Sequence, residues 1–153
     1  MIRAALRTST LLASVLVAAC GLVPADLAVD TSGARDVTGA AVALVSQHRR
    51  AHGLPPVRAD ADLAAAAKHQ ASAVARAGTL SHDVGSSFTS RMAAYGAGRV
   101  AAAENLSMGP TTAEAAIARW KASPGHNANL LMPEARRVGM AYDGKYWAMV
   151  LAQ

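Results

Sequence analysis

Three polar residues, far apart in the chain, could meet to do chemistry: His82, Glu104 and His126. Both histidines lie in segments with loop character, and Glu104 lies between them in an apolar stretch. Two imidazoles and one carboxylate are a ligand set that zinc uses with an open position. Because no HExxH spacing is present, the fold would have to assemble such a site. The alternative is a hydrogen-bonded cluster in which a histidine or backbone amides satisfy a buried carboxylate, since an unpaired buried acid is costly.

Serine nucleophiles are weaker candidates. Ser81 is adjacent to His82, but neighbouring side chains in an extended segment point to opposite sides. Ser123 precedes His126 by a Pro-Gly turn, so the two could touch, although no oxyanion hole is recognisable. The other histidines are interpreted as surface or core-edge residues, and the two tryptophans, which could flank a cavity, as core anchors: His48, His52, His69, Trp120 and Trp147.

Helical periodicity predicts the elements that position these residues. The predicted helices start near Val37, after Asp60, near Phe88 and after a capping box that begins at Thr111. They end at His52-Gly53, Ala77, Tyr95 and Ser123-Pro124-Gly125.

Two β-prone runs, Arg137–Tyr142 and Lys145–Leu151, flank Asp143-Gly144, which is a strong hairpin signal. Helices that come first and strands that gather at the end favour an α+β fold.

The first residues are predicted to be an export signal of the lipoprotein type. Arg3 and Arg7 precede an apolar run that is too short to span a bilayer. The run ends at Val17-Ala18-Ala19-Cys20, which resembles the lipobox that precedes a lipidated cysteine. Ordinary cleavage with an unmodified Cys20 is the alternative. We therefore predict a signal peptide over 1–19, a tether over 20–36 and one domain over 37–153.

Composition excludes several classes of protein. A single Cys rules out an intramolecular disulfide framework. The sequence pI of about 10.0 suggests a nucleic-acid partner. Without the two signal-peptide arginines, however, 13 of the 15 basic residues remain against 10 acidic ones, a net charge of +3. These basic residues are scattered and form no stripe that could follow a phosphate backbone, so no nucleic-acid partner is predicted.

Several short segments, in this order, resemble the CAP superfamily (cysteine-rich secretory proteins, antigens and pathogenesis-related proteins) in its bacterial SCP-like branch. They cover residues 40–152 and are Gln47–Leu54, Leu80-Ser81-His82, Phe88 with Arg91, Glu104-Asn105-Leu106, Trp120–His126 with Asn129-Leu130-Leu131, Val138-Gly139-Met140 and Tyr146-Trp147.

The resemblance implies an α-β-α sandwich, with a small antiparallel sheet between helical layers and a central cavity. In the family, two histidines and two acids commonly line that cavity, and His82, Glu104 and His126 match three of them. The fourth position is Ser123 here, which places a complete four-residue site in doubt. Asn105, Trp120 and Ser123 are secondary candidates for the cavity wall.

These observations predict an exported, lipid-anchored CAP-domain protein of a bacterial cell envelope. It would lie in the periplasm, on the outer membrane or on the cell surface, or else be secreted. The predicted role is a binding module for a lipid or sterol, a divalent metal such as zinc, or an envelope component. The alternative is a metal-assisted envelope hydrolase, with His82 and His126 holding the ion and Glu104 as third ligand or base. Fold resemblance does not fix function, and the interpretation leans against an enzyme.

Overall fold

The computed structural model describes residues 28–153. The predicted signal peptide (1–19), Cys20 and the first part of the predicted tether lie outside the described residues. Within the described part, none of the helices has the length and hydropathy needed to cross a bilayer.

In residues 28–153, five α-helices pack around the sheet: α1 (Thr38–Ala51), α2 (Ala61–Ala77), α3 (Phe88–Ala94), α4 (Ala113–Lys121) and α5 (Pro124–Leu130). The predicted cap of α2 is confirmed, because the Asp60 carboxylate accepts from the backbone N–H groups of Asp62 and Leu63. The cap of α4 is Thr112, whose hydroxyl accepts from the Ala115 N–H, and not the predicted Thr111.

The strands are β1 (Arg35–Asp36), β2 (Arg58–Ala59), β3 (Ala102–Met108), β4 (Arg137–Asp143) and β5 (Tyr146–Ala152). Their order is β1-β4-β5-β3, and β2 runs parallel to the start of β4. The predicted hairpin is confirmed as β4–β5, with Gly144 in its turn at a φ of 56°. Strand β1 pairs with β4 inside the segment predicted as tether, so the sheet begins two residues before the predicted domain boundary.

Alternating side chains of the hairpin pack against two helical layers. Val138, Met140, Trp147, Met149 and Leu151 share a core with α1, α4 and α5. The intervening residues Ala141 and Val150 share a core with α2 and α3. This arrangement confirms the α+β class and the α-β-α sandwich.

Helix α2 approaches the sheet unusually closely. A Cβ placed on Gly139 would lie 2.1 Å from the Leu63 carbonyl carbon, so only glycine fits there. Facing α2 residues such as Ala66 and Ala67 are fully buried and small. The small side chains on this face of α2 permit the close approach.

Arg49 joins the end of α1 to two loops. Its side chain is fully buried, and its guanidinium donates to the carbonyls of Pro55, Leu130, Met132 and Ala135 at 2.8–3.0 Å. All four partners are neutral, so this arginine is held by the backbone alone.

Candidate functional site

The candidate site forms along the free edge of β3. In the register with β5, Glu104 lies opposite Val150 and Asn105 opposite Met149. Two outward carbonyls of β3 are capped by side chains: Asn129 Nδ2 donates to Glu104 O at 3.3 Å, and Trp120 Nε1 donates to Leu106 O at 3.1 Å. These bonds bring α4 and α5 over a strand edge that would otherwise present unpaired backbone groups.

Glu104 is held from two sides and is almost fully buried. Its Oε1 lies 2.8 Å from His82 Nδ1, and its Oε2 accepts from Arg91 Nη2 at 2.8 Å. The Glu104 side chain is 1% exposed and that of Arg91 is 0% exposed, whereas that of His82 is 52% exposed. Arg91 also donates to the His82 carbonyl at 3.0 Å, which fixes the loop carrying the imidazole. The structure thus brings His82 and Glu104 together and adds a buried cation.

His126 lies on α5 and has different partners. Its Nδ1 is 3.0 Å from Ser123 Oγ, and its backbone carbonyl accepts from Asn105 Nδ2 at 3.0 Å. Asn105 Oδ1 in turn accepts from Asn129 Nδ2 at 2.9 Å. Asn105 therefore fixes α5 against β3, and Ser123 orients the His126 ring.

A cavity of about 340 Å³ opens beside these residues. Its wall combines apolar and polar side chains: Leu80, Leu106, Ser107, Met108, Arg119, Trp120, Ser123 and His126. Leu80 and Met108 are 44% and 40% exposed, and Arg119 is also exposed, so the exposed part of the wall combines apolar and charged side chains. The volume is at the lower end of the range for small-ligand sites.

One wall residue, Ser107, is buried without a partner. It is 4% exposed, and its hydroxyl has no hydrogen-bond partner within residues 28–153. Buried hydroxyls in folded proteins are normally bonded, so the Ser107 hydroxyl is an exception in the described part of the chain.

The two histidines of the site have opposite pKa shifts. The hydrogen bond that His82 donates to Glu104 raises the pKa of His82 above its ordinary 6.5, although burial opposes this shift. Burial lowers the pKa of His126, and the charges of His82 and Arg119 lower it further. The contact with Glu104 thus favours the charged form of the His82 imidazole, whereas burial favours the neutral form of the His126 imidazole.

Glu104 does not fit as the third ligand of the predicted zinc set. Both Glu104 oxygens are already bonded to His82 and Arg91, and His126 contacts Ser123 instead of the carboxylate. No group of three or more His, Cys, Asp or Glu side chains in the described part of the chain is placed to hold a metal ion.

The sequence missed three residues of the site. The sequence identifies Arg91 only as part of the family resemblance, and it does not identify Ser107 or Arg119 as site residues. A buried carboxylate in an apolar stretch needs a cation, which was a usable signal for Arg91. Nothing in the sequence pointed to Ser107, because its missing partner is a property of the assembled wall.

Residues 42–147 match the sequence model of the cysteine-rich secretory protein family, CAP. The chain belongs to the CAP family. A second similarity is to the uncharacterized protein YkwD of Bacillus subtilis, 29% identical over 111 residues. That match covers 69% of this chain and 43% of YkwD, so this chain spans less than half of that relative.

Solved structures share the CAP fold at low identity. An extracellular protein containing an SCP domain from Bacillus anthracis has a TM-score of 0.72 at 23% identity, covering 76% of this chain and 40% of that one. An outer surface protein of Borrelia burgdorferi has a TM-score of 0.67 at 17% identity, covering 78% and 97%. The predicted SCP-like branch thus agrees with extracellular and surface-located bacterial neighbours.

Proposed function

We propose that this CAP domain is an extracytoplasmic binding module that holds a small ligand in the cavity beside β3. The observation that carries the proposal is the cavity wall, which Leu80, Leu106 and Met108 line together with Ser107 and His126. Ligand sites commonly combine an apolar lining with a few convergent polar groups.

Binding is favoured over catalysis by the state of Glu104. A general base must reach the proton that it removes, directly or through one water. Both oxygens of Glu104 are engaged, and its side chain is 1% exposed. The Glu104 carboxylate therefore serves to position His82 and Arg91.

The test of the binding role is native mass spectrometry of the exported protein purified from its own cells. We expect a small molecule to copurify with the wild type and to be lost from Ser123→Phe, which fills the cavity. Ala122→Phe is the matched control, because Ala122 is exposed and adjacent but does not line the cavity. Repeated absence of a molecule from the wild type, or equal amounts in the wild type and Ser123→Phe, would contradict the proposal.

The competing hydrolase requires zinc at His82 and His126. Zinc titration of the wild type and of the His82→Ala/His126→Ala double variant separates the two functions. We expect no difference in zinc affinity between the two proteins. Tighter binding by the wild type, together with zinc-dependent hydrolysis, would favour the hydrolase.

We also propose that Cys20 carries a lipid anchor, on the strength of the small residues that precede it. Acyl chains contribute roughly 0.8 kcal/mol per buried CH₂, and two or more chains give stable anchoring. Cys20→Ser should move the protein from the membrane fraction to the soluble fraction. Unchanged fractionation would refute lipidation.

A further inference from the structure

Four arginines that are scattered in the sequence lie together at the end of the sheet opposite the hairpin turn. Arg58 on β2 and Arg137 on β4 are register partners in a parallel pair, so their backbones are about 5 Å apart and their side chains leave the same face. Arg49 and Arg136 share an acceptor, because both guanidiniums donate to the Ala135 carbonyl, at 3.0 and 2.8 Å. Like charges held this close are unfavourable unless anions compensate them.

Only one of these four guanidiniums has a carboxylate partner in the described part of the chain. Asp60 Oδ2 lies 3.1 Å from Arg137 Nη1. The other three arginines have no aspartate or glutamate oxygen within 4.0 Å among residues 28–153. Glu134, two residues before Arg136, is exposed and forms no ion pair there. This end of the sheet is therefore net positive, and it attracts anions.

Three of the arginines line one pocket of about 500 Å³. Its wall consists of residues from the three strand ends: Pro56, Val57, Arg58, Arg136, Arg137 and Gln153. Arg136 Nη1 donates to the Pro133 and Ala135 carbonyls at 2.7 and 2.8 Å, and Arg137 Nε donates to the Gln153 carbonyl at 2.8 Å. These bonds hold two guanidiniums in place before any ligand binds, which lowers the entropy lost on binding.

We propose that this pocket binds a phosphate group, which Arg58 and Arg136 contact. A guanidinium donates two parallel hydrogen bonds to a phosphate, and a phosphate has further oxygens for a second guanidinium. A carboxylate has only two oxygens, which a single guanidinium fork already occupies. The pocket shares no wall residue with the cavity beside β3, so this inference goes beyond the proposed binding function and does not depend on it.

The test is calorimetric titration of the full chain carrying Cys20→Ser, which removes the proposed lipidation site. The probes are inorganic phosphate and acetate, each at the same ionic strength so that general screening is equal. We expect phosphate to bind at least about tenfold more tightly than acetate, the scale of one hydrogen bond to a charged group.

Variants identify the residues. Arg58→Gln and Arg136→Gln should each weaken phosphate binding about tenfold. Arg35→Gln is the matched control and should leave phosphate affinity unchanged. Arg35 is exposed like Arg58 and lies on β1, the other two-residue strand that pairs with β4, but it does not line the pocket. Urea denaturation should show that Arg58→Gln is as stable as the wild type, because Arg58 has no ion pair within residues 28–153.

A vesicle experiment separates two sources of the phosphate group. Cosedimentation with phosphatidylglycerol vesicles that Arg58→Gln abolishes and Arg35→Gln preserves would support the proposal and assign the phosphate to a lipid headgroup. Phosphate binding without cosedimentation would support it and assign a soluble phosphate. No binding of phosphate, equal affinity for phosphate and acetate, or equal losses in Arg58→Gln and Arg35→Gln would overturn the proposal.

Discussion

Within residues 28–153, Arg49 and Arg91 are both fully buried, and they bind opposite kinds of partner. Arg49 donates to four backbone carbonyls at the end of α1. Arg91 donates to the Glu104 carboxylate and to the carbonyls of His82 and Ser86. The first cation has only neutral partners, whereas the second has a counterion that is also buried.

The difference separates the scaffold from the site. Neutral carbonyls tolerate the loss of a donor better than a buried carboxylate does, because only the carboxylate is left with an uncompensated charge. Arg49 therefore holds loops together, and Arg91 sets the charge and orientation of Glu104, and through it of His82.

The largest effect is expected for Arg91→Met. Breaking a buried ion pair by removing one partner costs about 3–5 kcal/mol in the free energy of unfolding. Urea denaturation of the wild type and the variant measures this loss. The control is the double variant Arg91→Met/Glu104→Leu, which removes the stranded charge and should recover a large part of the loss. A double variant that is less stable than Arg91→Met would show that the pairing is not the source of the effect.

A smaller loss, of about 2–4 kcal/mol, is expected for Arg49→Met, because the groups left behind are uncharged carbonyls. Arg49→Lys should be nearly as destabilising, since one ammonium cannot reach carbonyls that the planar guanidinium fork contacts from three nitrogens. Thermal unfolding of both variants checks this. Wild-type stability in Arg49→Lys would mean that the positive charge alone, and not the planar guanidinium, holds the loops.

Neither arginine's role could be predicted from the sequence. Both occur in segments noted for their family resemblance, but a buried arginine is an exception to the rule that charged residues stay at the surface. Three of the carbonyls that Arg49 contacts are more than 80 residues away in the chain, and Arg91 bonds to Glu104, 13 residues away on β3. Local periodicity carries no such information.

Helix ends and the hairpin were predictable because their signals are local, as at Asp60 and Asp143-Gly144. The β3 strand was not predictable from the sequence, since Ala102–Met108 shows no clear alternation of polar and apolar residues, and neighbours bury both faces of the strand. Helix α5 was missed because Ser123-Pro124-Gly125 reads as a helix end, although proline is equally suited to the first turn of a new helix. His69, expected at the surface or core edge, is 1% exposed and therefore lies in the core.

Two serines sharpen the contrast between scaffold and site. Ser46 and Ser107 are each 4% exposed. The Ser46 hydroxyl donates to the Val57 carbonyl and accepts from the Val57 N–H, each at 3.2 Å, whereas the Ser107 hydroxyl has no partner in the described chain. Ser46→Ala should cost about 1–3 kcal/mol, and Ser107→Ala about zero. Chemical denaturation measures the free energy of unfolding of the two variants. Equal losses for Ser46→Ala and Ser107→Ala would show that the Ser107 hydroxyl is bonded in solution.

The smallest effect concerns pH and contrasts the buried His69 with the half-exposed His82. Burial lowers the pKa of His69 below 6.5, and the charge of Arg91 lowers it further. Below pH 6.5 the unfolded chain thus binds a proton at His69 more readily than the folded chain, so stability falls as the pH falls towards the folded pKa. For His82, the hydrogen bond that its imidazole donates to Glu104 raises the pKa. Its contribution is complete below pH 6.5 and is lost as the pH rises through the folded pKa.

Imidazole NMR titration of the wild type should therefore place the pKa of His82 above that of His69. In Glu104→Gln the pKa of His82 should fall, because the partner that favours the charged imidazole is neutral. Glu114→Gln is the control variant, because the Glu114 side chain is exposed and does not bond to His82, so it should leave the pKa of His82 unchanged. An unchanged pKa of His82 in Glu104→Gln would mean that Glu104 positions only Arg91. The site would then differ from the region around Arg49 only in that the partner of its buried arginine is charged.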